Sequence, residues 1–303
     1  MDATKTATTP ARATSASSPS LRRREGLLAC LFLLPALAAL TTFRILPAGW
    51  LIITSVRGQS GALVGLANFQ FLFGQPSFVQ TVATTLLFVL ITVPFQIASA
   101  FALALLFTQR LPGVAVFRVA VFIPVAVPGA VAAILWGMAY RPDGLVNALL
   151  GVVGIPPQPF LNSPNQALGS VVVLISWIGV GFWMVFLIGG LKDISVHLYE
   201  AASIDGAGPW SRFLRITIPL MRRSLAFVLV ADTVAAFLLF APVAILTRGG
   251  PSNSTQFIMY DVYQQAFIFG DIHLAAAEAL VLMAAMMVVV AAQFRFLSRD
   301  REK

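Results

Sequence analysis

The chain has 303 residues, 58% of them hydrophobic and only 11% charged, with a mean hydropathy of +0.88. A soluble chain carries roughly a quarter charged residues, so a soluble globular domain is excluded. The net charge of +8 leaves nucleic acid or anionic lipid open as a partner, while the single cysteine, Cys30, excludes an internal disulfide and any cysteine-built metal site.

Residues 1–26 form a predicted disordered cytoplasmic tail, because its first 20 residues are rich in Ala, Thr, Ser and Pro and cannot build a core. The following LRRREGLLACLFLLPALA resembles a secretory or twin-arginine signal, and Leu27-Leu28-Ala29-Cys30 resembles a lipoprotein cleavage box. A lipoprotein cysteine follows its apolar run, whereas Cys30 stands at the start of one. The segment therefore reads as an uncleaved first span.

Six stretches are long and apolar enough to cross a bilayer, which takes about 20 residues of helix. They run approximately over 27–54, 80–107, 116–139, 167–191, 224–246 and 273–297. None alternates with period two, so a strand barrel does not fit. The predicted fold class is all-α: a polytopic membrane protein of six transmembrane helices over 27–297, with a short cytoplasmic tail at 298–303. Pro94, Pro124, Pro128 and Pro242 fall inside the spans, where neighbouring helices are expected to tolerate them.

With the N-terminus inside, only Arg44, Arg57, Arg141 and Arg248 of the 20 lysines and arginines lie in the outer half. The other sixteen lie inside, a positive-inside bias that predicts both termini to be cytoplasmic. The basic excess is then a topology signal, and no nucleic-acid partner is expected; the partner surface is membrane lipid.

No G-x-x-x-x-G-K-[ST], H-E-x-x-H or G-x-S-x-G occurs, and the two histidines, His197 and His273, fall near opposite ends of the spans. Neither a phosphate loop, a catalytic set nor a metal site is expected in this chain.

One charged segment interrupts the apolar pattern between the fourth and fifth spans, at about 192–223. Ile194, Leu198, Ala201 and Ala202 share one face of a predicted short helix over 194–204. Asp205-Gly206-Ala207-Gly208-Pro209 supplies a sharp turn, with glycine free to take positive φ and proline fit to start the next helix. Trp210, Phe213 and Leu214 form the ridge of that second helix, which Pro219 is expected to end or kink. The pair is either a docking element or a surface helix pair lying on the membrane.

The run Glu200-Ala201-Ala202, three residues, Gly206, nine residues, Ile216, one residue, Ile218 and Pro219 resembles the EAA loop of binding-protein-dependent ABC importer permeases, EAA-x3-G-x9-I-x-L-P. The one departure is isoleucine at 218. The resemblance covers about 27–297 and is to the carbohydrate-uptake type, which includes maltose and glycerol-3-phosphate permeases. GLANFQFLF after the first span resembles that type's V-G-L-x-N-F segment, and LTRGGPSNSTQFIMYDVYQQAF at 246–267 resembles its second outer loop. Tyr260, Tyr263 and Phe267 there have helical spacing, either at an interface or as an interfacial aromatic belt. Asp271-Ile272-His273 departs from the usual G-Y before the last span.

The resemblance implies that Glu200, Ala201, Ala202, Asp205, Gly206, Ile216 and Pro219 couple the chain to an ABC ATPase dimer. ATP and magnesium would then be bound on that partner, with no cofactor in this chain. It further implies a second homologous permease, an extracytoplasmic solute-binding protein and a sugar or polyol substrate moved by alternating access. By position, Trp177, Ile178, Gly179 and Phe182 in the fourth span and Asp232, Ala236 and Leu239 in the fifth would line the substrate cavity. The last three share a helical face at i, i+4, i+7. A carboxylate there would favour a neutral or cationic saccharide over a phosphate ester. The plainer alternatives are that Trp177 and Phe182 pack or face lipid, and that Asp232 makes a structural hydrogen bond. A proton-coupled carrier using Asp232 and Glu278 is the competing class.

Overall fold

The computed structural model describes residues 31–109 and 112–298, and among these every regular element is helical. The predicted tail at 1–26, Cys30, Arg110 and the tail beyond 298 lie outside the described residues. The chain divides into two units, Met1–Leu51 and Ile52–Lys303. Of the first unit the structure describes only helix, the front part of α1 (Leu31–Ser55).

The second unit is built on two long antiparallel-capable spans, α3 (Pro76–Phe107) and α7 (Pro164–Lys192), which form its most extensive helix pair. Each starts at a proline, whose missing N–H costs nothing in the first turn. At 32 residues α3 is roughly 48 Å long, well over a hydrocarbon core of about 30 Å. Its buried stripe runs Phe78, Thr81, Thr85, Phe88, Thr92, Gln96, Ala100 and Ala104, spaced three to four residues apart as one helical face requires. α9 (Ile218–Phe237) packs on both, and α12 (Ile272–Ser298) packs on α9. One core cluster centres on Phe88, Val171, Phe237, Phe257 and Ile258, another on Ala104, Trp183, Met184, Met221 and Val228.

Five helices are long and apolar enough to span a membrane, or six if one bent pair counts as a span. That pair is the predicted third span. It comprises α4 (Val114–Phe122) and α5 (Gly129–Ala139), and the full break between Val114–Ala126 and Gly129–Ala139 is bent by 103°. Pro124 sits in a 3-10 turn over Ile123–Ala126 and Pro128 is extended (φ −56°, ψ 138°), so two missing N–H groups in five residues end the helix rather than being absorbed by it. Arg118, on α4, donates through Nη2 to the Phe107 carbonyl at 2.6 Å and so caps α3. Pro242 likewise opens a new short helix, α10 (Ala241–Leu246). Of the four prolines expected within spans, only Pro94 lies inside an unbroken helix.

The remaining elements are short. α2 (Ala67–Phe73) follows α1, α6 (Leu145–Val152) follows α5, α8 (Val196–Ile204) lies in the charged segment, and α11 (Ile258–Tyr263) precedes α12. Asn68 holds the end of α1 by donating to the Ser55 and Arg57 carbonyls at 2.7 and 2.9 Å.

Candidate functional site

The charged segment folds as two linked helices. α8 closes on Gly206, which takes φ +76° as the expected turn requires. Ala207 N–H reaches the Ala202 carbonyl at 2.8 Å and Gly206 N–H the Ser203 carbonyl at 3.2 Å. This is the paired 6→1 and 5→2 closure that satisfies a helix's last carbonyls. Nothing lies within 4 Å of where a Cβ at 206 would stand, so the glycine is needed for its backbone angle alone.

The second helix does not stop at Pro219. A turn at Pro209–Arg212 passes into a π turn at Phe213–Thr217 and on into α9, with the Ile218 N–H bonded to the Phe213 carbonyl. The wider turn accommodates Pro219, whose ring would collide with the carbonyl four residues back in a regular α-helix. The segment is therefore rigidly continuous with the fifth span. Tyr199 and Thr217 hydroxyls meet at 2.9 Å, and Arg212 Nη1 donates to Ser203 Oγ at 2.8 Å, tying α8 to that helix.

The apolar face divides in two. Ile194 packs against the core cluster around Trp183, Met184 and Met221, and Phe213 rests on Phe101 of α3, ring centroids 6.1 Å apart. Trp210 stacks on Phe213 at 5.5 Å yet is 71% exposed, and Ile204 is 87% exposed. Glu200 is exposed and pairs with His197 at 3.0 Å; Ala201, Asp205 and Pro219 are exposed, and Ala202 and Ile216 half-buried. The seven candidate coupling residues thus lie along α8, its closing turn, the π turn and the start of α9, five of them exposed.

The candidate substrate residues differ in exposure among the described residues. Asp232 and Ala236 are buried, Leu239 is half-buried against the upper core, and Trp177 and Phe182 are exposed at 38% and 39%. Trp177 meets Trp136 edge-on at 5.8 Å, joining α7 to the bent span, and Phe182 lies against Trp183 and Phe186. Asp232 Oδ1 accepts from Trp183 Nε1 at 2.8 Å. Its carboxylate thus faces the indole of a neighbouring span. No sequence spacing links residues 49 apart: an intramembrane aspartate calls for a donor but does not name it.

Around this pair lies a belt of buried polar groups. Thr92 Oγ1, Gln96 Nε2, Ser176 Oγ and Asp232 Oδ2 are buried without a hydrogen-bond partner among the described residues. Gly179 and half-buried Ile178 stand beside them on α7, and a Cβ at 179 would overlap the Gln96 amide. Small residues let membrane helices approach this closely.

In the outer-loop segment, Thr255 Oγ1 donates within the Thr247–Gly250 turn, and Tyr260, Tyr263 and Phe267 form a ladder of adjacent rings. Tyr260 is 5% and Phe267 78% exposed, so the ladder runs from core to surface.

Residues 45–303 match the family model described as "Binding-protein-dependent transport system inner membrane component". The chain belongs to this family and is a multi-pass membrane permease component of an ABC importer rather than an enzyme. It is 32% identical over 283 residues to the sn-glycerol-3-phosphate transport system permease protein UgpA of Pectobacterium atrosepticum, covering 91% of this chain and 96% of that one. It is also 32% identical over 284 residues to the sulfoquinovosyl glycerol transport system permease protein SmoG of Agrobacterium fabrum, covering 90% and 91%. A solved bacterial ABC transporter that imports the acidic polysaccharide alginate has the same fold, with a TM-score of 0.80 over 92% of this chain and 98% of that one at 22% identity.

Proposed function

We propose that this permease moves a sugar or related polyol inward across the plasma membrane of a bacterium or archaeon, with both termini cytoplasmic. The observation that carries the reading is the structured segment 192–223: a closed helix, a rigid link to the fifth span and an exposed apolar tip at Ile204 and Trp210. Such a tip on a basic, membrane-flanking element suits a cleft on a soluble ATPase subunit. Because the segment continues into α9, closure of an ATPase dimer would be passed to the bundle as a rigid-body movement, opening it outward to a solute-binding protein. Hydrolysis of magnesium-bound ATP on that partner would return it inward. A second, homologous permease would complete the pathway, covering the exposed Trp177 and Phe182.

The substrate class rests on the relatives, whose names specify glycerol-3-phosphate and sulfoquinovosyl glycerol. The deciding experiment is uptake in cells that hold ATP constant. Vanadate should abolish transport and a proton uncoupler should leave it intact. Uptake that collapses with the uncoupler and ignores vanadate would instead establish a proton-coupled carrier.

A further inference from the structure

A second polar place lies away from the coupling and substrate residues, where the first turns of α12 meet α3 and the segment around α11. It lines a half-open cavity of about 120 Å³. Its wall includes Ser77, Thr81, Asp261, Gln265 and Glu278, and no lysine, arginine or histidine contributes to it. At roughly 30 Å³ per water, the space holds an ion with a few waters.

Glu278 is the decisive side chain. It is 1% exposed, and neither carboxylate oxygen has a close hydrogen-bond partner among the described residues, the Gln265 side chain being near enough only for a weak contact. An isolated buried carboxylate costs several kcal/mol, a cost that a bound cation or a proton relieves. Thr81 already donates its hydroxyl hydrogen to the Ser77 carbonyl at 3.1 Å, leaving only lone pairs for the cavity. Gln256 donates through Nε2 to Asp261 Oδ1 at 3.1 Å and to Gln264 Oε1 at 2.5 Å, so its amide hydrogens are engaged. Asp271 is committed elsewhere, accepting from Gln59 at 2.8 Å and from Leu274 N–H at 2.9 Å, and His273 faces the Thr54 carbonyl at 3.1 Å.

We propose that this cavity binds a divalent cation of calcium type, with Glu278 and Asp261 as its charged ligands and Thr81, Gln265 and water as its neutral ones. Two carboxylates match a double positive charge, and an all-oxygen wall suits a hard cation. Calcium tolerates the irregular shell that two carboxylates, a hydroxyl and an amide provide, whereas magnesium demands a near-ideal octahedron. No group of three or more His, Cys, Asp or Glu side chains placed to hold a metal ion occurs among the described residues, so neutral oxygens must complete the shell. The bound ion would pin α12 to α3 and to the α11 segment.

The test uses the full-length chain with the subunits that co-purify with it, in lipid nanodiscs stripped by chelator and without nucleotide. Calcium chloride is titrated against thermal melting and against displacement of terbium luminescence. Calcium should raise the melting midpoint saturably, magnesium should do so only at far higher concentration, and Glu278→Gln and Asp261→Asn should each weaken calcium by about tenfold or more. Without calcium, Glu278→Gln should melt no lower than wild type, because it removes an uncompensated buried charge. An equal calcium response in wild type and both variants, or none in wild type, would overturn the site. A melting midpoint that follows pH but not calcium would do so too, assigning the charge balance to protons.

Discussion

Replacing Gly206 tests the coupling element through its backbone alone. The residue holds φ +76° with nothing within 4 Å of a Cβ, so a substitution there adds conformational strain without a steric clash. An L-residue in the left-handed region costs about 1–2 kcal/mol, and a β-branched one more. That lowers the population of the closed α8 turn by roughly 5- to 30-fold. The strain falls on the two turn-closing bonds from Ala207 and Gly206 to the Ala202 and Ser203 carbonyls. Gly206→Ala and Gly206→Val should insert normally into the membrane but retain and stimulate the ATPase subunit progressively less. Gly206→Asn should recover much of the loss, because asparagine tolerates this region. Gly208→Ala is the control: at φ −67° and with open space around it, alanine is unstrained and should behave as wild type. ATPase retention and uptake at wild-type levels in Gly206→Val would refute the reasoning, as would equal losses in Gly208→Ala.

Trp183→Phe removes the one donor to Asp232 among the described residues, leaving both oxygens of a carboxyl that is 4% exposed without a partner there. The melting free energy should fall by about 1–3 kcal/mol, and by less in Trp183→Phe/Asp232→Asn; a neutral single variant would contradict the pairing. Asp271 is pushed upward by partial burial, but the Leu274 N–H, the Gln59 amide and His273 outweigh this and hold it below the usual carboxylate range. Its contribution to stability is therefore present above the unfolded pKa of about 3.9 and is lost as pH falls through the lower folded value, so Asp271→Asn should flatten the acid limb of a melting-versus-pH curve. Cysteines placed at Ser17 and Ser298 should resist an impermeant thiol reagent in intact cells while one at Ser252 reacts, and labelling at position 17 without permeabilisation would reverse the proposed orientation.

Much of this protein was legible in one dimension because a bilayer imposes a one-dimensional rule: about 20 apolar residues must be helical to cross it. Most span positions, the segment at 192–223 and the positive φ at Gly206 follow from local composition and backbone preference. The EAA pattern added the family because its spacing is fixed along the chain. What depended on packing was not legible. Whether a proline is absorbed, as Pro94 and Pro219 are, or breaks the helix, as Pro124 and Pro128 do, turns on how close a second proline lies and whether a widened turn fits. The partner of Asp232 lies on another helix 49 residues away, and the exposure of Trp177 and Phe182 is set by the rotation of α7 about its own axis. An almost uniformly apolar span carries little amphipathic signal to fix that rotation, so only the tertiary contacts with α3 and α9 decide which residues face the core.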